Sequence, residues 1–361
     1  MRLIHVADLH LDSTMESNLT SDKAKQRREE LLDCFSDLID YAEENQVEGI
    51  LIAGDLFDKT RVRKIAKNRV LDEIKEHKDI TFFYLQGNHD RCDFLQDIHL
   101  EEFPNLKLFE AASWTSYEFK DVVITGREIN ADNVKTFSMN LVLDQANTNI
   151  VMLHGQESEY EGKDKAEIIP LGELRGKYID YLALGHIHSY KKERLDDRGE
   201  YCYSGCLEGR GFDECGEKGF VLLDITDGKI QSSFVPFAKR IFHSVEIQLC
   251  EDDDMSTVLQ KLRDHVRTIP KDDLVKIVLT GKTSVDFDVD LGRILREFGN
   301  QFYFVKVYNK STIQVHYEDF INDKSLKGEF VRLMEKQDMD ETKKSLVVEI
   351  GMKALMGEEL Q

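Results

Sequence analysis

Apolar and polar positions along this chain follow two periods that alternate. Leu3-Ile4-His5-Val6-Ala7, Gly49-Ile50-Leu51-Ile52-Ala53 and Ile80-Thr81-Phe82-Phe83-Tyr84-Leu85 are short, nearly continuous apolar runs, as in strands buried on both faces. Between the first two, residues 22–45 place Leu31, Leu32, Phe35, Leu38, Ile39 and Ala42 at helical spacing, and residues 62–77 also read as helix. Two further runs, Ile150-Val151-Met152-Leu153 and Tyr181-Leu182-Ala183-Leu184, each lead directly into a histidine. Strands alternating with helices predict a layered α/β domain. Around Lys120–Arg127 and Glu200–Ile230 the pattern turns richer in strand, with glycine turns, which predicts a sandwich with mixed pairing.

Past Pro236 the pattern changes. Short strands at Ser244–Leu249, Leu274–Leu279 and Tyr303–Tyr308 alternate with helices near 255–267 and 288–298, predicting a small second α/β domain. We place the domains at 1–236 and 237–322, with a helical tail at 323–361. The tail holds two helical stretches, with Phe330, Leu333 and Met334 on one face and Leu346, Ile350, Ala354 and Leu355 on another.

Composition narrows the class. A chain of 361 residues exceeds the about 250 to 300 at which single cores stop growing, so more than one domain is expected. No segment approaches the ~20 apolar residues of a membrane span, and the first eight residues read as a strand and not as a signal peptide. A cytoplasmic protein with no membrane partner is expected. The six cysteines, at 34, 92, 202, 206, 215 and 250, show no C-x-x-C pair, which favours reduced thiols over a zinc ribbon or a disulfide framework. The net charge of −21 argues against broad attraction to nucleic acid. Against that stand the local cluster Lys59, Arg61, Arg63, Lys64, Lys67 and Arg69, and the positive charge that bound cations would add.

The chemistry lies in five stretches: Asp8-Leu9-His10, Gly54-Asp55, Gly87-Asn88-His89-Asp90, His154-Gly155 and Gly185-His186-Ile187-His188. Most of them follow a strand-like run directly, and sites in such sheets sit beyond the carboxyl ends of strands. Carboxylate, imidazole and amide oxygen together suit manganese, iron or zinc better than calcium or structural zinc. Two ions ~3.5 to 4 Å apart can share a bridging carboxylate and stabilise both attacking and leaving oxygens at phosphorus. Each stretch alone also reads as an ordinary turn or strand-end cap. Five of them in order, at strand ends, make that reading poor.

Taken together these stretches resemble the signature of the calcineurin-like metallophosphoesterases. His5-Val6-Ala7-Asp8-Leu9-His10-Leu11, Gly54-Asp55-Leu56-Phe57-Asp58 and Tyr203-Ser204-Gly205 are similar to the SbcD-type DNA repair exonucleases, the nuclease half of the SbcCD complex. The resemblance covers residues 1 to about 235 and implies two mixed β-sheets flanked by helices, then a small capping domain. It implies a first metal held by Asp8, His10, Asp55 and His188, and a second by Asp55, Asn88, His154 and His186, with manganese favoured. It makes His89 the catalytic imidazole and Asp90 the residue that orients it. Asp58 stands where some relatives carry a histidine. The resemblance further implies DNA as substrate and an SbcC-type ABC ATPase whose coiled coil receives the tail helices. A homodimer is also implied. The glycine-rich, charged segment Glu208–Glu214 has no assigned role beyond an expected phosphate contact from Arg210.

The leading expectation is therefore a metal-dependent phosphodiesterase acting on DNA, an exonuclease or endonuclease of repair or recombination. A small-nucleotide phosphodiesterase or phosphatase on the same metals is the alternative that the acidic balance favours. A metal-stabilised, non-catalytic binding subunit is the alternative of another class.

Overall fold

The computed structural model describes residues 1–15, 19–58, 62–90, 93–95, 98–130, 132–157 and 168–356. The chain divides into two compact units, Met1–Ile241 and Phe242–Gln361.

In the first unit the strands are β1 (Arg2–Val6), β2 (Gly49–Ala53), β3 (Thr81–Leu85), β4 (Leu106–Leu108), β5 (Thr115–Phe119), β6 (Val122–Gly126) and β7 (Thr148–His154). They continue with the two-residue pair β8 (Gln156–Glu157) and β9 (Ile168–Ile169), then β10 (Tyr181–Gly185), β11 (Lys191–Arg194), β12 (Glu200–Tyr203), β13 (Gly219–Thr226) and β14 (Lys229–Pro236). Its helices are α1 (Ser21–Glu44), α2 (Lys64–Glu76) and the single turn α3 (Leu171–Leu174). The first sheet has the order β14-β13-β1-β2-β3-β4, parallel from β1 to β4, with β13 antiparallel to β1. The second has the order β11-β12-β10-β7-β6-β5, parallel through its four inner strands and antiparallel at both edges. Both sheets are mixed, as the sequence pattern predicts.

Leu3, Leu51 and Phe83 of the first sheet form one buried cluster with Ile124, Ile150, Met152 and Ala183 of the second, so the sheets pack face to face. The far face of the second sheet buries Leu153, Leu182 and Leu184 against Phe137, Leu171 and Leu174. The helix predicted at 22–45 is α1, which buries the six apolar residues that mark it in sequence.

One further residue of that buried face carries a charge. Arg27, wholly buried, donates to Glu30 at 2.7 Å, to Glu208 at 2.8 Å and to the Gly209 carbonyl at 2.9 Å. Glu208 also accepts the Lys239 N–H at 2.7 Å, and Glu30 takes Arg240 at 2.9 Å. The network ties α1 to the segment after β12 and to the end of the unit.

His5 is buried in β1 with Nδ1 2.9 Å from the Tyr181 hydroxyl. Burial pushes its imidazole down to about 3. A histidine lowered in the folded state contributes stability that is full above its unfolded value, near 6.5, and is lost as pH falls from there toward about 3. Urea titrations are expected to show wild type losing its advantage over His5→Gln between about pH 6.5 and pH 4. An advantage that stays constant with pH would show that His5 titrates alike in the folded and unfolded chain.

The second unit is built of β15 (Phe242–Leu249), α4 (Met255–Val266), β16 (Leu274–Thr283), α5 (Leu291–Phe298), β17 (Phe304–Asn309) and β18 (Thr312–Ile313), with every strand pair parallel. Side-chain caps start both helices, with Asp254 accepting the Thr257 N–H at 2.8 Å and Asp290 the Arg293 N–H at 2.7 Å. Their buried faces, Val258, Leu259 and Leu262 on α4 and Ile294 and Phe298 on α5, meet Ile277 and Leu279 of the sheet.

The tail helices α6 (Leu326–Glu335) and α7 (Glu341–Met356) also belong to this unit. They bury Val331, Val348 and Met352, with Val315, Tyr317 and Phe320 packed alongside. Phe330 and Met334 of the face read in sequence on α6 pack against this cluster, whereas Leu333, and Leu346 and Ile350 on α7, stay exposed. Apolar residues lie on two faces of α7, so spacing alone does not choose the buried one.

Candidate metal centre

Within each sheet the parallel strands point the same way, so their carboxyl ends share a rim. The candidate residues stand there. Asp8 and His10 follow β1, Asp55 follows β2, and Asn88 and His89 follow β3. His154 is the last residue of β7, and His186 and His188 follow β10. The first sheet thus supplies the carboxylates and the amide, the second three of the imidazoles.

The backbone at the rim is unusual. Asp8, His10 and Asp55 have φ of 53°, 44° and 52°, and His186 has φ of 101°, a region that non-glycine residues occupy at some cost. Cross-bonds hold the first two loops there: Asp8 N–H to Gly54 O at 3.0 Å, His10 N–H to Asp55 O at 2.9 Å and Leu11 N–H to Leu56 O at 2.9 Å. Three glycines of the motifs are required by space. A Cβ on Gly54 would overlap the His154 ring, one on Gly87 the Asp55 carboxylate, and one on Gly185 the Ala53 carbonyl.

The donors converge. Ligand atoms of Asp8, His10 and His188 lie within 4.8 Å of one another, as do those of Asp8, Asp55 and His154. His10 Nε2 is 3.2 Å from His188 Nε2 and 3.8 Å from Asp55 Oδ2. Asn88 Oδ1 is 3.0 Å from His154 Nε2 and 3.4 Å from His186 Nδ1. Asp8 takes only the His186 N–H, at 3.0 Å, among the hydrogen bonds of the described residues, so its buried carboxylate keeps acceptor capacity. His154 places Nδ1 2.9 Å from the Ala53 carbonyl, an acceptor, so Nδ1 carries the proton and Nε2 faces the cluster.

Burial opposes charge on both Asp55 and His154. Their mutual attraction across 3.4 Å outweighs it, holding the Asp55 carboxyl well below the usual carboxylate range and pushing His154 up to about 10. Burial and the charge of Asp55 together push Asp90 up to about 6.

Around this set the structure departs from expectation in two places. Asp90 does not face the His89 ring. Its carboxylate accepts the N–H groups of Phe57 at 2.9 Å, Gly87 at 3.0 Å and Leu56 at 3.1 Å, and so joins the Asp55 and Asn88 loops. The carboxylate that approaches His89 is Asp58, 3.6 Å from Nδ1. Asp58 also lies 3.1 Å from His10 Nδ1, close but off the line of a hydrogen bond. Arg210 reaches the site but is already engaged. It donates to Asp58 at 3.2 Å and to Glu214 at 2.9 Å, and this double ion pair stands where a phosphate contact was expected.

Sequence reasoning passed over Glu214, a buried carboxylate 2.7 Å from His188 Nδ1. Its only signal was a charge within a glycine-rich segment. Of the basic cluster, Lys59 and Arg61 lie outside the described residues. Arg63, Lys64 and Lys67 line a cavity of about 760 Å³ with His99 and Phe103, whereas Arg69 pairs with Asp33 at 2.8 Å.

Carboxylates, an amide oxygen and imidazoles gathered at the strand ends of an α/β sandwich define a metallophosphoesterase. Residues 1–190 match the family model for calcineurin-like phosphoesterases, and the chain belongs to that family, whose members bind two divalent metals and hydrolyse phosphoester bonds. The DNA double-strand break repair protein Mre11 of Sulfolobus acidocaldarius is 25% identical over 337 residues, covering 88% of this chain and 85% of that one. Mre11 of Sulfurisphaera tokodaii is 28% identical, covering 86% and 81%. The uncharacterized metallophosphoesterase YhaO of Bacillus subtilis is 27% identical, covering 78% and 72%. Among the described residues no helix is long and apolar enough to cross a membrane.

Proposed function

We propose that this protein is an SbcD-like nuclease that cleaves phosphodiester bonds of DNA, as an exonuclease or endonuclease of repair or recombination. The observation that carries the proposal is the convergence of seven ligand-type residues from both sheets beneath one exposed imidazole, in a chain related along most of its length to the Mre11 repair proteins.

In this reading Asp8, His10, Asp55 and His188 hold one cation and Asp55, Asn88, His154 and His186 the other, manganese(II) by preference, with iron or zinc as substitutes. The donors fit such ions, because the set mixes carboxylate, amide oxygen and imidazole, with His154 Nε2 turned inward by its Nδ1 contact. Bound there, the cations supply Lewis acidity at phosphorus. His89 is the group for the leaving oxygen. Its side chain is 48% exposed, its ring stands edge-on to His10 at 5.1 Å, and Asp58 steadies Nδ1, which leaves the other face open to substrate. Asp90 acts on His89 through the Gly87 turn.

The partners follow the same reading. An SbcC-type ABC ATPase with a coiled coil is the partner for α6 and α7, where Leu333, Leu346 and Ile350 remain exposed, and pairing of two copies and a cytoplasmic setting complete it. The net charge of −21 favours a second reading, a small-nucleotide phosphodiesterase on the same site. A metal-stabilised binding subunit without catalysis ranks below both, since stability alone does not require an exposed His89 over a ligand set.

The deciding experiment is nucleotide release from linear duplex DNA by the purified chain with manganese, with Asp55→Ala and a cyclic dinucleotide run beside it. Release that disappears in the variant is the expected result. Hydrolysis of the cyclic dinucleotide alone would replace DNA by a small nucleotide, and hydrolysis of neither would leave the binding subunit.

A further inference from the structure

The glycine-rich segment after β12, for which the sequence predicts only a phosphate contact from Arg210, is fastened in the structure at both of its charged ends. At one end Glu208 and the Gly209 carbonyl are held by buried Arg27 at 2.8 and 2.9 Å. At the other, Glu214 is 7% exposed and sets Oε1 2.7 Å from His188 Nδ1. Between them Arg210 donates its backbone N–H to Glu214 Oε2 at 2.8 Å and its guanidinium to Oε1 at 2.9 Å. Glu214 thus has one oxygen shared by His188 and the Arg210 side chain and the other on the Arg210 backbone.

The chemistry of the pair is directional. A carboxylate beside a cationic guanidinium only accepts, so His188 Nδ1 must donate to it. The remaining nitrogen, Nε2, is the one 3.2 Å from His10 Nε2, at the heart of the ligand cluster. Lys218 fixes the same histidine from its backbone side, donating to the His188 carbonyl at 2.8 Å.

We infer that Glu214 is a positioning residue for His188, locking the ring so that Nε2 is presented to a divalent cation, and that the Glu208–Glu214 segment exists to deliver it. The inference rests on the two-cation reading above. A carboxylate behind a ligating imidazole typically changes metal affinity about 10- to 100-fold. Arg210 then serves to seat Glu214, and Asp58, its other partner, is drawn into the same array.

The test is titration of the metal-free protein with manganese(II), following free ion by electron paramagnetic resonance, which needs no turnover. Wild type is expected to take up two ions. In Glu214→Leu, which removes the acceptor, one of the two affinities should fall about 10- to 100-fold while the other holds. The neighbouring exposed Asp213→Asn should leave both unchanged. Glu214→Asp keeps the charge beside Arg210 but withdraws the acceptor from His188, so it should lose the same affinity, and it decides the matter if the leucine variant does not fold. Wild-type affinity at both sites in either folded variant would overturn the positioning role. Wild type that binds no manganese(II) would instead overturn the two-cation reading.

Discussion

Asp55→Ala is expected to lower phosphodiester hydrolysis by about three orders of magnitude or more, the several kcal/mol a cation pair contributes at about 1.4 kcal/mol per tenfold. In the proposed two-cation arrangement Asp55 is the ligand common to both sites. Oδ2 faces His154 at 3.4 Å and His10 at 3.8 Å, while Oδ1 accepts the His89 N–H at 2.9 Å. One substitution therefore removes the carboxylate shared by the two proposed sites and frees the backbone of the residue proposed to act on the leaving oxygen. Asp55→Asn retains the hydrogen bond to His89 and loses only the charge. It separates the two contributions: manganese stoichiometry below two in both variants, with rate falling further in alanine than in asparagine, is the expected pattern. Two ions bound at full affinity by Asp55→Ala would rule out the bridging role.

Arg27→Met should cost about 3–5 kcal/mol of stability, the usual consequence of leaving a buried charge without its partner. Glu208, 1% exposed, would keep two backbone donors but lose the guanidinium, and Glu30 would keep Arg240 and Gln26. Urea titration of the purified protein reads the loss directly. Arg27→Met combined with Glu208→Gln should recover part of it, because no charge remains buried there and the amide oxygen can still accept the Lys239 N–H, while the Arg240 N–H loses the second oxygen it now meets. If the double variant is no better than the single one, packing around the arginine stem and not the ion pair is what matters.

Much of the first unit was legible because two signals coincide. Apolar runs mark β1, β2, β3, β7 and β10, and each ends at or just before a residue that can hold a metal. Helical spacing likewise marks α1 to within a residue or two. Pairing order was not legible: nothing local shows that β13, over two hundred residues away, returns beside β1. The surroundings of the ligands were hidden for the same reason. Glu214 meets His188 only because β12 brings its following segment back to the rim, and Asp90 reads as a partner of adjacent His89 until the turn sends its carboxylate toward three N–H groups. In α7 the difficulty was different, since two apolar faces compete and only packing selects Val348 and Met352.

Gly54, Gly87 and Gly185 leave no room for a side chain against His154, Asp55 and the Ala53 carbonyl. The consequence concerns how such a centre can diverge. Enlarging the motif glycines is closed to mutation, so variation that keeps the centre intact must enter from behind, through residues such as Glu214, Asp58 and Arg210. Divergence within this lineage would then retune metal preference and rate from the rear while the face presented to substrate stays fixed.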